Sequence, residues 1–154
     1  MCLAAVAGCG SGGSAPSTPA TPSTAAYSQA LQRIASQETA AQQRVADAFR
    51  KQSLPVLRKA LKAFQADQTD LAGQLTALVP PQGASGPNAR LAGALTDSAT
   101  AIASLRVRIA HARNVTQAFY VLQSDLDSQR VGRKIGDAIT LLTDLGYLPD
   151  QPSP

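Results

Sequence analysis

The sequence predicts an all-α chain, an up-down-up-down four-helix bundle. Three observations carry the prediction. Apolar residues recur in alternating steps of four and three over long stretches, the spacing that puts them on one side of a helix. Alanine and leucine are abundant and aromatics are few, with three Tyr, three Phe and no Trp in 154 residues, a composition that favours helix. Breaks at Pro55, at Pro80–Pro87 and, more weakly, at Asn114 divide the ordered part into four segments, of which the first three are nearly equal in length. Equal segments joined by short turns suit a bundle. The alternative is a long antiparallel hairpin of two kinked arms meeting at residues 79–87, which would bury less surface for its length.

The first segment covers about 27–52. Ser23 or Thr24 is placed to cap it, and its stripe is Tyr27, Leu31, Ile34, Ala41, Val45 and Ala48, interrupted by Glu38. Pro55 has no amide hydrogen to continue the ladder, so the helix must turn or kink near Ser53, the expected cap of the next one. That second segment, about 54–78, carries Leu54, Leu57, Leu61, Phe64, Gln68, Leu71, Leu75 and Leu78 in a new phase.

Residues 80–87 contain three prolines and two glycines and read as a loop, with Asn88 the expected cap beyond it. The third stripe, about 88–113, is Leu91, Leu95, Ser98, Ile102, Leu105, Ile109 and Ala112. Asn114-Val115-Thr116 is a weak break. The last segment, about 115–146, carries Phe119, Leu122, Leu126, Val131, Ile135, Ala138, Leu142 and Leu145, with a change of phase between Ser124 and Ser128. Gly146 should end it in a left-handed conformation, with Pro149 beyond. The bundle is thus expected over 26–148 and a disordered tail over 149–154.

Candidate chemistry is sparse. No catalytic residue, metal ligand set or cofactor motif is found, so no enzyme, no metal and no cofactor are expected. His111 is the one histidine and Glu38 the one glutamate, too few for a helical di-metal site. There is no Gly-x-Ser-x-Gly motif and no strand pattern to hold one. Asn114-Val115-Thr116 matches a glycosylation sequon by coincidence. Gly132 and Gly136, four apart, read as a place where helices approach closely. Asp125 and Asp127 read as a solvated edge or a cap.

The net charge of +4 is mild, and no nucleic acid is expected. Its distribution says more. Arg50, Lys51, Arg58, Lys59 and Lys62 surround the first break, and Arg106, Arg108, His111 and Arg113 precede the second. A bundle brings these two regions to one end. Asp67, Asp70, Asp97, Asp144 and Asp150 are assigned to the other end, so the molecule should be polarised along its axis. The basic pole is a candidate site for an anionic envelope polymer, a lipid headgroup or an acidic protein, and a solvated end is the bland reading. A different reading makes the bundle a carrier of a small ligand between its helices, with Gln68, Ser98, Thr116 and Gln123 as the polar lining.

The amino terminus adds a location. Val6-Ala7-Gly8-Cys9 ends a short apolar run and precedes a Gly/Ser then Pro/Thr/Ala tract. The four residues resemble the lipobox of bacterial lipoproteins. The resemblance implies a lipid on Cys9, cleavage of residues 1–8 as a signal-peptide remnant, and a tether over 9–25. It implies attachment to the extracytoplasmic face of the cell membrane, which takes at least two acyl chains to be stable. No Lys or Arg precedes Cys9, whereas export signals begin with a basic region; the expected start codon therefore lies upstream. The excess of Arg over Lys and of Asp over Glu resembles GC-rich bacterial genomes, such as those of actinobacteria.

Overall fold

Ser23 is the cap of the first helix. Its hydroxyl accepts a hydrogen bond from the Ala26 amide (3.2 Å) and caps α1, Thr24–Arg50. The computed structural model describes residues 23–149. The Cys9 segment, the tether up to residue 22 and the tail from residue 150 lie outside the described residues. Four further helices follow: α2, Leu54–Ala77; α3, Ser85–Ala110; α4, Val115–Gln123; and α5, Leu126–Asp144.

The helices pack in chain order, α1 on α2, α2 on α3, and α3 on both α4 and α5. Tyr27, near the start of α1, shares a buried cluster with Leu75, near the end of α2. That contact requires α1 and α2 to run antiparallel, which excludes the hairpin of kinked arms and leaves the bundle. The fourth helix of the expected bundle is two helices. Asp125 breaks it by taking the cap position of α5, where its carboxylate accepts from the Ser128 amide (3.3 Å) and the Ser128 hydroxyl.

The predicted stripes of the first three segments form the core. Leu31, Ile34, Leu57, Leu61, Leu71, Leu75, Leu91, Leu95, Leu105 and Ile109 are all buried. α3 is buried over a wider face than its stripe suggests, because Ala92, Ala94, Ala99 and Ala101 also face neighbours. It is the central helix, and small residues let α2 and α5 approach it from two sides.

The last stripe is partly wrong in phase. Val115 and Ala118 are the buried residues of α4, whereas Phe119, Leu126 and Leu145 are 44%, 67% and 47% exposed. Treating Asn114 as only a weak break, with Phe119 on the stripe, produced the error. Asn114 starts a new helix with a fresh phase, accepting from the Gln117 amide (2.8 Å) while the Gln117 side chain accepts from the Arg113 amide (2.8 Å). The Asn114 cap satisfies one of the amides a helix start leaves free, and the Gln117 side chain holds the residue just before the cap.

Asn88 also departs from expectation. α3 begins three residues earlier, with Pro87 tolerated in its first turn and Gly83 supplying the left-handed turn (φ 89°). Asn88 is instead a buried clamp. It donates to the Leu75 carbonyl (2.9 Å) in the last turn of α2, which also accepts from the Leu78 amide (3.3 Å), and accepts from the Tyr27 hydroxyl (3.0 Å). One side chain thereby joins α1, α2 and α3.

The end of α5 matches its prediction. Gly146 has φ 77°. Its amide donates to Thr143 and that of Tyr147 to Leu142, at 2.8 and 3.0 Å, the paired bonds of a Schellman stop. The stop aims Tyr147 edge-on at Tyr27, with ring centroids 5.2 Å apart. Gly132 and Gly136 do not serve close packing: both are exposed, with open space where a β-carbon would stand.

Candidate functional site

The described core has two parts. One, built on Tyr27, Leu31, Leu75, Leu91, Leu95 and Leu142, lies at the end where the chain enters the bundle. The other, built on Ala48, Leu57, Leu61, Leu105, Ile109 and Ala118, lies at the end carrying the α1–α2 and α3–α4 turns. This second end holds the predicted basic residues, and its polar groups can be taken one by one.

α1 stops at Arg50, and Gln52 follows in the left-handed region (φ 50°), a conformation uncommon for a residue with a β-carbon. Ser53 sits at the cap position of α2 but makes no side-chain capping bond. Arg58, on the first turns of α2, reaches across to the carbonyls of Ile109, Ala110 and Ala112 at 3.3, 2.8 and 3.2 Å. These carbonyls lie at and just beyond the end of α3, where a cation is favoured; that of Ile109 also accepts from the Ala112 amide (3.1 Å). Arg58 is therefore a structural cap.

Arg108 is engaged as well. It forms an ion pair with the buried Asp125 and ties α3 to the α4–α5 break. Burial pushes the Asp125 carboxyl up, but hydrogen bonds from Ser128 and Arg108 outweigh it and hold the group below the usual carboxylate range. Arg106 donates to Gln65. Arg50 pairs with Asp47 on the surface, and its hydrogen bond, with that of Gln43, lowers the Asp47 carboxyl. Lys51, Lys59, Lys62 and Arg113 remain, all exposed and without a carboxylate partner among the described residues. His111 is exposed at the cap position of α3.

The acidic half of the predicted polarity forms an end only in part: Asp144 closes α5 at the entry end, but others lie elsewhere. Asp67 and Asp97 lie midway along α2 and α3, where each is neutralised at 2.7 Å, by Arg44 and Lys134 respectively. Asp150 lies outside the described residues. The error came from reading chain position without the cross-helix partners.

Apolar surface joins the free cations. Phe119 packs edge-on against Phe49, with centroids 6.0 Å apart, and the two flank a shallow groove of about 330 Å³ with Arg50, Gln52 and Thr116. Tyr120, the next residue, is 66% exposed. Sequence reasoning missed this aromatic surface because it assigned Phe119 to the core. It also missed the Arg108–Asp125 pair, although Ser124-Asp125-Leu126-Asp127-Ser128 carries the acid and the hydroxyl of a helix cap.

The four polar residues proposed to line a carrier site do not converge. Gln68 is fully buried, Ser98 is half-buried, and Thr116 and Gln123 are exposed. Among the described residues no group of three or more His, Cys, Asp or Glu is placed to hold a metal ion, and no helix is long and apolar enough to cross a membrane. No protein-family model, no curated protein and no solved structure matches this chain. What the fold and site define is a helical bundle with one end both cationic and aromatic.

Proposed function

We propose that the chain is a lipid-anchored, extracytoplasmic binding module without catalytic activity, and that its basic, aromatic end holds an anionic partner of the cell envelope. One observation carries the reading. Phe119 and Tyr120 face solvent at the same end as Lys51, Lys59, Lys62 and Arg113, which have no carboxylate partners. Cations beside aromatic rings suit a target with both negative charge and apolar surface, since the rings bury an apolar body while keeping a wet edge. Arg58 and Arg108 are excluded from the contact set, because the fold already uses them. The lipobox-like Val6-Ala7-Gly8-Cys9 supports the location.

The test has two parts. The chain, made in a bacterial host behind a lipoprotein export signal that leads into Val6-Ala7-Gly8-Cys9, should gain the mass of a diacylglyceryl group that Cys9→Ala abolishes. The Cys9→Ala protein should co-sediment with vesicles containing anionic phospholipid and with anionic wall polymer, more weakly as salt rises. Lys51→Glu with Arg113→Glu should reduce that binding at least tenfold, and Tyr120→Ser severalfold. Binding unaffected by the charge reversals would remove the basic end from the reading.

A further inference from the structure

The side of the bundle between α1 and α5 is not sealed. The two helices do not pack closely backbone to backbone, and they leave a cleft of about 240 Å³. Its walls are Leu31 and Ile34 from α1, Leu91 and Leu95 from α3, and Ile135 and Ile139 from α5. Glu38 stands in the same cleft, where the α1 stripe would otherwise continue with an apolar residue.

The surroundings of Glu38 are short of positive charge. One carboxylate oxygen accepts from the Gln42 amide (2.8 Å), the other from the Gln68 amide. Both donors are neutral. No cationic nitrogen lies within 4.0 Å of Glu38 among the described residues. Gln68 is fully buried, and because its NH₂ group is committed to Glu38, its carbonyl oxygen is left without a partner. Turning the amide over would set that oxygen against the carboxylate. This region therefore has acceptors in excess and lacks a cationic donor, beside an apolar wall where an unpaired charge is costly.

We infer that the cleft binds a small lipophilic amine, its hydrocarbon chain along the Leu31–Ile139 wall and its ammonium on the Glu38 carboxylate. An ammonium supplies the missing charge and up to three donors, and charge-assisted bonds of this kind are the strong ones. The cleft is smaller than the roughly 300–1,000 Å³ typical of drug-sized ligands, so a chain of about eight carbons suits it. This site is separate from the basic end and stands or falls independently of it.

Calorimetric titration of the 154-residue chain with octylamine, octanol and octanoate at pH 7 tests the inference. Octylamine should saturate at one per chain and bind at least tenfold more tightly than octanol, with octanoate weaker still. Glu38→Gln should bring octylamine down to the octanol value and leave octanol unchanged, whereas Glu38→Asp should preserve the order amine, alcohol, acid. Ile135→Trp should fill the cleft and weaken all three, and thermal melts of each variant confirm that it folds. Equal binding of the three probes, or a preference that survives Glu38→Gln, would overturn the assignment. So would the absence of saturable binding, as when a segment of the chain or a second copy already occupies the cleft.

Discussion

The two halves of the core use their polar residues in opposite ways. At the entry end, Tyr27, Asn88 and the Leu75 carbonyl form an enclosed chain of hydrogen bonds, and the Schellman stop at Gly146 brings Tyr147 against Tyr27. At the other end the enclosed polar group is Asp125, bonded to an arginine that stays half in solvent, while Phe119 and Tyr120 project outward. The first half satisfies itself. The second leaves cations and aromatic surface uncommitted, which is the property expected of a surface that meets something else.

The comparison can be broken most directly in the cores. Leu142 and Leu57 are fully buried, one in each half. Leu142→Ala and Leu57→Ala should each cost about 3 kcal/mol, within the range for buried leucines. Because α2 and α3 run through both halves, each variant should still show one thermal transition, lowered by roughly 12 °C for a domain of this size. Two separate transitions in either variant would mean that the halves fold independently.

Asn88→Ala should come next, at about 2 kcal/mol, because it strands the Tyr27 hydroxyl and removes a partner from the Leu75 carbonyl in a buried site. Urea melts would read the loss. The Asn88 position was legible as a polar residue beside a loop, but not as a clamp, since its two partners lie 13 and 61 residues away. The same limit applied elsewhere. The stripes of α1, α2 and α3 were readable because periodicity is local. The pairing of Arg108 with Asp125 and the capping of α3 by Arg58 were not, because they depend on how helices cross. Phe119 was misplaced for a simpler reason: an undetected cap at Asn114 reset the phase.

The halves should also fail at opposite extremes of pH. Burial, with Tyr147 nearby, raises the Tyr27 hydroxyl to about 12. Its contribution is complete below the ordinary tyrosine value near 10 and is lost as pH rises through about 12. Asp125 is lowered, so its contribution is complete above the ordinary aspartate value near 3.9 and is lost as pH falls through its folded value. Tyr27→Phe should therefore flatten the alkaline limb of a stability profile, and Asp125→Asn the acid limb. Each variant should leave the other limb unchanged, as circular dichroism melts across pH would show.

The smallest effect sharpens the comparison from outside the core. Gly132→Ala and Gly136→Ala, on the open face of α5, should each stabilise the fold by about 0.5–1 kcal/mol. Differential scanning calorimetry would detect the combined rise in melting temperature.

The order in which the helices pack has a kinetic consequence. α1, α2 and α3 each meet their neighbours in sequence across short turns, so the loops that must close are small and folding should start quickly. The meeting of Tyr27 and Tyr147 is different, because it joins residues at opposite ends of the described chain. That closure carries the largest entropic cost and should come last. A bundle of α1 to α3 then forms ahead of it, with the side that later becomes the α1–α5 cleft still open to water.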